Sequence, residues 1–142
     1  MTIIVDTSAI LALFDESYSE HKDLARLVGR TDERLVVSPM VVAEADYMLY
    51  TRLGSRAASD FAADVAGGAY ELAEWTANQH ASALAVTAQF DDGYVGITDA
   101  SNVVIADRER TDRIMTLDQR HFRALRPLWG FAHFVLLPYD QS

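Results

Sequence analysis

The sequence predicts an α/β fold, a central parallel sheet of about four to five strands flanked by helices on both faces. Two observations carry this. Strand-like and helix-like segments alternate along the whole chain, and the connections between them are short. Parallel strands need crossover helices, and those helices cover both faces of the sheet.

Ile3, Ile4 and Val5 read as a short buried strand, and Ser8 to Phe14 as a helix that follows almost at once. SYSEHKDLARLVGR carries Leu24, Leu27 and Val28 at helical spacing and ends near Gly29, a second helix. RLVVS is a brief β-branched run. Ser38 then supplies an N-cap and Pro39 the first helical position of PMVVAEADYMLYTRLG, which Gly54 closes. Ser55 starts a further helix, SRAASDFAADVAGG. AYELAEW is a third strand, TANQHASALAVTAQF and ASNVVIADRER are helices, and RIMTLD and FVLLP are the last strands.

With 142 residues, half of them hydrophobic, the chain is long enough for one domain with a real core and too short to expect two. No linker, repeat or low-complexity tract divides it, so a single domain over residues 1–142 is expected. There is no cysteine, which excludes disulfides and thiolate metal sites. The apolar start lacks a basic flank and contains Asp6, and no run approaches the roughly 18 apolar residues of a membrane span. The expectation is a cytoplasmic protein with neither leader nor anchor.

The formal charge of −9 argues at first against a nucleic-acid partner. Its distribution softens that. Residues 1–99 hold 16 acids against 6 bases, whereas residues 100–142 hold 5 acids against 6 arginines. Lys22 is the only lysine, and arginine suits forked contacts to phosphate.

Asp6 interrupts the most apolar run at this end of the chain. A carboxylate there must be paired, cap a helix, or belong to a site. TIIVD and RIMTLD both place an aspartate just past strand residues, so Asp6 and Asp118 are expected side by side where ligands bind an open parallel sheet. Glu44 lies about one and a half turns into the helix after LVVS, among Val41, Val42, Ala43 and Ala45. Asp99, in GITDASNVVIA, is expected at a helix N-cap. Four converging carboxylates repel unless a cation sits among them, and an all-oxygen set without His or Cys selects Mg²⁺ or Mn²⁺. His21, His80, His121 and His133 form no metal-binding pair and read as structural or surface groups.

IIVDTSAILALFD, VVSPMVVAEADYML, GITDASNVVIADR and RIMTLDQRHFRALRP followed by FVLLP together resemble a PIN domain, and most closely the VapC-type toxin ribonucleases of actinobacterial toxin–antitoxin pairs. The resemblance covers nearly the whole chain. It implies the PIN fold and puts the family's acidic quartet on Asp6, Glu44, Asp99 and Asp118. Thr7 or Ser8, and Thr116, fall on positions that support the site by hydrogen bonding; Asn102 stands where relatives carry another polar or acidic group. The implied activity is endonucleolytic cleavage of RNA with one or two Mg²⁺ ions, Mn²⁺ substituting, and a 5′ phosphate left behind. Asp6 and Asp99 are the expected direct or water-bridged ligands, with Glu44 and Asp118 completing the shell or orienting water. Arg108, Arg120, Arg123 and Arg126 are candidates for tracking the RNA backbone.

The resemblance also implies a homodimer and a VapB antitoxin whose C-terminal segment obstructs the acidic site. In the Met40–Leu53 helix, Val42, Leu49 and Leu53 are expected to face the core while Tyr47 and Tyr50 lie on other faces, which suggests an interface. Other readings are weaker. A haloacid-dehalogenase-type phosphatase needs a second aspartate where Ser8 stands, a receiver domain needs a late lysine, and no phosphate-binding glycine loop is present. The alternative from another class is a PIN-like module that binds RNA or antitoxin without cutting.

Overall fold

Strand residues sort by parity. In the computed structural model, which describes residues 1–90 and 94–140, Ile3 and Val5 enter one core and Ile4 enters another on the opposite side of the sheet. The strands are β1 (Thr2–Val5), β2 (Arg34–Val37), β3 (Glu71–Leu72), β4 (Arg113–Met115) and β5 (Val135–Leu137). All pair in parallel, in the order β3-β2-β1-β4-β5, so β1 is central. Val37, Met115 and Leu137 share the face of Ile3, while Val36, Ile114 and Leu136 share that of Ile4.

Helices cover both faces. Those of the first half, α1 (Thr7–Phe14), α2 (His21–Arg30), α3 (Pro39–Leu53) and α4 (Ser55–Ala66), send Ile10, Leu24, Leu49 and Phe61 into the first core. From the second half, α5 (Ala77–Thr87), α6 (Ile97–Arg108) and α7 (Gln119–Ala124) contribute Val86, Ile105 and Phe122 to the other. The fold is the predicted one, with five strands.

Punctuation residues behave as their chemistry dictates. The Ser38 hydroxyl accepts from Met40 N at 3.1 Å with Pro39 beginning α3, and Gly54 ends that helix at φ 100°, a backbone conformation that a side chain would strain. At α5, Thr76 and Gln79 form a reciprocal capping box. Thr76→Ala is expected to cost about 1 kcal/mol, read as a lowered urea midpoint at unchanged slope.

Three elements depart from the sequence expectation. AYELAEW contributes only Glu71–Leu72 as strand, an exposed edge paired with β2 alone. The helix expected from Ala100 begins at Ile97, with Gly96 as its N-cap. RIMTLD is strand only to Met115, with one further bond from Thr116 N to Leu137 O, and α7 starts at Gln119, held to the second core by Phe122. On α3 the buried residues are Val41, Ala45 and Leu49; Val42 is partly buried, and Leu53 is 40 % exposed rather than in the core. Tyr47 and Tyr50 are 68 % and 59 % exposed.

Candidate active site

From β1 the chain builds outward on one side to β2 and β3, then returns to add β4 and β5 on the other. The order reverses beside β1, and a crevice opens at the carboxyl ends of β1 and β4. Asp6 stands there. Its N–H donates to Met115 O at 2.9 Å, continuing the ladder past Val5.

Asp6 is 4 % exposed, and three side chains hold it. Oδ2 accepts from Thr116 Oγ1 at 2.7 Å and from Ser8 Oγ at 3.1 Å, and Oδ1 accepts from Asn102 Nδ2 at 3.1 Å. Burial still raises this carboxyl above the ordinary aspartate range, because the hydroxyls only partly replace water and the nearby Asp118 charge opposes ionisation. Thr116 Oγ1 also accepts from Asp118 N at 3.0 Å, and Ser8 Oγ accepts from Leu117 N at 2.8 Å. One pair of hydroxyls therefore fixes both the first aspartate and the turn that presents the last. The Thr7 side chain takes no part: its hydroxyl is buried with no hydrogen-bond partner.

Asp99 and Asp118 reach the crevice from two helix starts. Asp99 is the third residue of α6, inside the first turn and not at the N-cap where the sequence put it. One turn on, the fully buried Asn102 turns its amide toward Asp6. Asp118 caps α7, and its Oδ1 accepts from His121 N at 3.0 Å. Burial, followed by the charges of Asp6 and Asp118, pushes the Asp99 carboxyl up to about 7; His121 opposes the shift and Glu44 adds to it. Glu44 itself is exposed, although the sequence sets it among Val41, Val42, Ala43 and Ala45. Val41 and Ala45 are buried nearby in sequence, but each step along a helix turns about 100°.

His121, read from sequence as structural or surface, belongs to this cluster. Its Nδ1 lies 2.8 Å from Asp118 Oδ2 and 3.1 Å from Asp99 Oδ2. The available signal was the three-residue spacing from Asp118, which is one helical turn if a helix starts at that aspartate.

The arginines divide. Arg108 ends α6, nine residues and about 13 Å of helix from Asp99, 3.7 Å from Glu74; it is away from the quartet. Arg123 makes a forked pair with Asp140 at 2.6 and 2.7 Å, which holds that carboxyl down at about 2. Arg126 donates to Arg123 O at 2.7 Å. Arg120 is exposed two residues after Asp118 and has no acidic partner among the described residues.

The donor set suits a divalent cation. Asp99, Asp118 and His121 can each turn a ligand atom toward a common point, with those atoms within 4.8 Å of one another. The amide oxygen of Asn102, buried beside Asp6, has no partner of its own. Carboxylates whose charges hold one another's proton affinity up are the electrostatic complement of a missing positive charge. Thr116→Val keeps the shape and removes the shared hydroxyl. It is expected to lower Mn²⁺ affinity and RNA cleavage by about 10–100-fold, measured by calorimetric titration and single-turnover assays.

An open parallel sheet with acids gathered at its switch point is the arrangement that the resemblance to PIN-domain nucleases implies. Residues 3–126 match the PIN domain family. Over 136 residues the chain is 45 % identical to Ribonuclease VapC26 of Mycobacterium tuberculosis, covering 96 % of this chain and 100 % of that one. The chain belongs to the PIN-domain family and, within it, to the VapC ribonuclease toxins. The fold recurs in the crystal structure of Mycobacterium tuberculosis VapC20, described as a sarcin-ricin loop cleaving toxin, at TM-score 0.76 and 23 % identity over 83 % of this chain and 91 % of that one. It recurs again in VapBC2 from Rickettsia felis, solved bound to a DNA fragment from their promoter, at TM-score 0.67 and 14 % identity over 96 % of this chain and 97 % of that one.

Proposed function

We propose that this protein is the toxin of a type II toxin–antitoxin pair, an endoribonuclease dependent on Mg²⁺ or Mn²⁺ that cuts a structured RNA, either transfer or ribosomal, and so arrests translation and growth. The observation that carries this is the crowding of Asp6, Asp99 and Asp118, with Glu44 close enough to act on Asp99, at the switch point of a PIN fold. The identity to a ribonuclease over nearly the whole chain supports it.

Asp6, Asp99 and Asp118 would hold the cation directly or through water, with Glu44 completing the shell or orienting water. Bound there, it supplies the Lewis acidity that activates water and stabilises charge on phosphate oxygens. The protein's own contributions are positional and electrostatic. Thr116, Ser8 and Asn102 lock Asp6 in one rotamer, and the Thr116–Asp118 bond carries that rigidity across the crevice. Glu44, the exposed member, orients an attacking water by accepting its hydrogen bond. Arg120 offers a phosphate contact at the rim.

A VapB-type antitoxin is the proposed partner, supported by the VapBC2 complex sharing the fold. A homodimer through the exposed Tyr47, Tyr50 and Leu53 of α3 is proposed on the same resemblance. The proposed location is the cytoplasm; among the described residues no helix is long and apolar enough to cross a membrane. The purified chain should cut total RNA with Mg²⁺ or Mn²⁺, stop in excess EDTA, and resume when the ion is restored. Cutting that persists in EDTA would refute the metal dependence, and RNA binding without cutting in either ion would favour the non-cleaving module.

A further inference from the structure

His121 brings a nitrogen to a site that the quartet alone would make all-oxygen. Its Nδ1 is 2.8 Å from Asp118 Oδ2 and 3.1 Å from Asp99 Oδ2. The 2.8 Å contact is a hydrogen bond between the ring and Asp118; with metal–ligand bonds of about 2.0–2.2 Å, donors at right angles around one cation also stand about 3 Å apart, so a cation can take the place of that proton with little movement of the side chains. The ring is also pinned. His121 N donates to Asp118 Oδ1 at 3.0 Å, and the next residue, Phe122, is buried and meets Phe134 edge-on with ring centroids 6.3 Å apart.

We infer that His121 is a nitrogen ligand of the cation held by Asp99 and Asp118, and that it biases the site toward Mn²⁺ over Mg²⁺. This rests on the metal-dependent reading above. Mg²⁺ is a hard ion that keeps its waters and takes oxygen donors, whereas ions later in the first transition row accept imidazole readily; Mn²⁺ accepts both donor types. Coordination through Nδ1 leaves the ring proton on Nε2. Among the described residues no other histidine contacts a carboxylate of this cluster: His21 Nδ1 is 2.7 Å from Ala12 O, His80 Nδ1 accepts from Trp75 Nε1 at 3.1 Å, and His133 Nδ1 is 3.3 Å from Phe134 O.

Pulsed electron paramagnetic resonance on the full chain loaded with Mn²⁺ tests this without any substitution. A coupling to directly bound ¹⁴N is expected, replaced by a ¹⁵N coupling when the histidines are ¹⁵N-labelled. In His121→Gln the coupling should vanish, and the ratio of Mg²⁺ to Mn²⁺ dissociation constants should fall about tenfold. Bound Mn²⁺ with no histidine-nitrogen coupling overturns the inference and leaves the metal-dependent nuclease intact. A wild-type chain that binds neither ion overturns that reading, and the inference with it.

Discussion

Asp6→Asn is expected to reduce RNA cleavage by at least about a hundredfold while the protein stays folded. Loss of an outer-shell partner at a metal site costs about 10–100-fold, and loss of a carboxylate at its centre should cost no less. Asparagine fits the pocket. Its oxygen can accept from Asn102 Nδ2, and its amide can donate to the Ser8 and Thr116 hydroxyls, which rotate to accept. What disappears is the charge. That charge is already costly where it sits, since burial raises the Asp6 carboxyl above its ordinary range, so the variant should melt no lower than the wild type. New RNA 5′ ends mapped after expression of each form, beside melting curves of the purified proteins, check both halves. A variant that still cuts fully with Mg²⁺ would remove Asp6 from the chemistry.

The gathering of these acids was legible in sequence because three of them obey rules tied to backbone geometry. Asp6 and Asp118 follow strands, and a residue just past a parallel strand faces the crevice whatever its neighbours are. Asp99 was found for a partly mistaken reason. It opens a helix, but Gly96 caps that helix, and the aspartate points from inside the first turn. Glu44 was placed on the right helix and given the wrong environment, because sequence neighbours on a helix lie on different faces.

His121 was illegible for a deeper reason. Its place depends on α7, six residues long, a length at which helices are marginal on local propensity alone. Tertiary contacts make that helix: Phe122 and Leu125 in the second core, and Asp118 at the cap. A side chain whose position depends on packing farther along the chain leaves only a spacing in the sequence.

The acids that make the site should also weaken the metal-free fold, and pH exposes this. An ordinary aspartate loses its proton near 3.8, whereas folded Asp99 holds one up to about 7. Between those values the folded chain binds more protons than the unfolded one, so this contribution to stability is complete below about pH 4 and is lost as pH rises through 7. In EDTA the wild type should therefore melt several degrees lower at pH 8 than at pH 5.5, a loss of about 2 kcal/mol from this group. Asp99→Asn removes the charge, so it should melt above the wild type at pH 8 while being inactive, and the difference between the two should shrink at pH 5.5. Saturating Mn²⁺ should raise the wild type at pH 8, by about 2.7 kcal/mol at a hundredfold excess over the dissociation constant, and raise the variant less. A variant that melts below the wild type at pH 8 would mean that Asp99 is held by stabilising contacts, and that the crowding of these acids is not a strain the cation relieves.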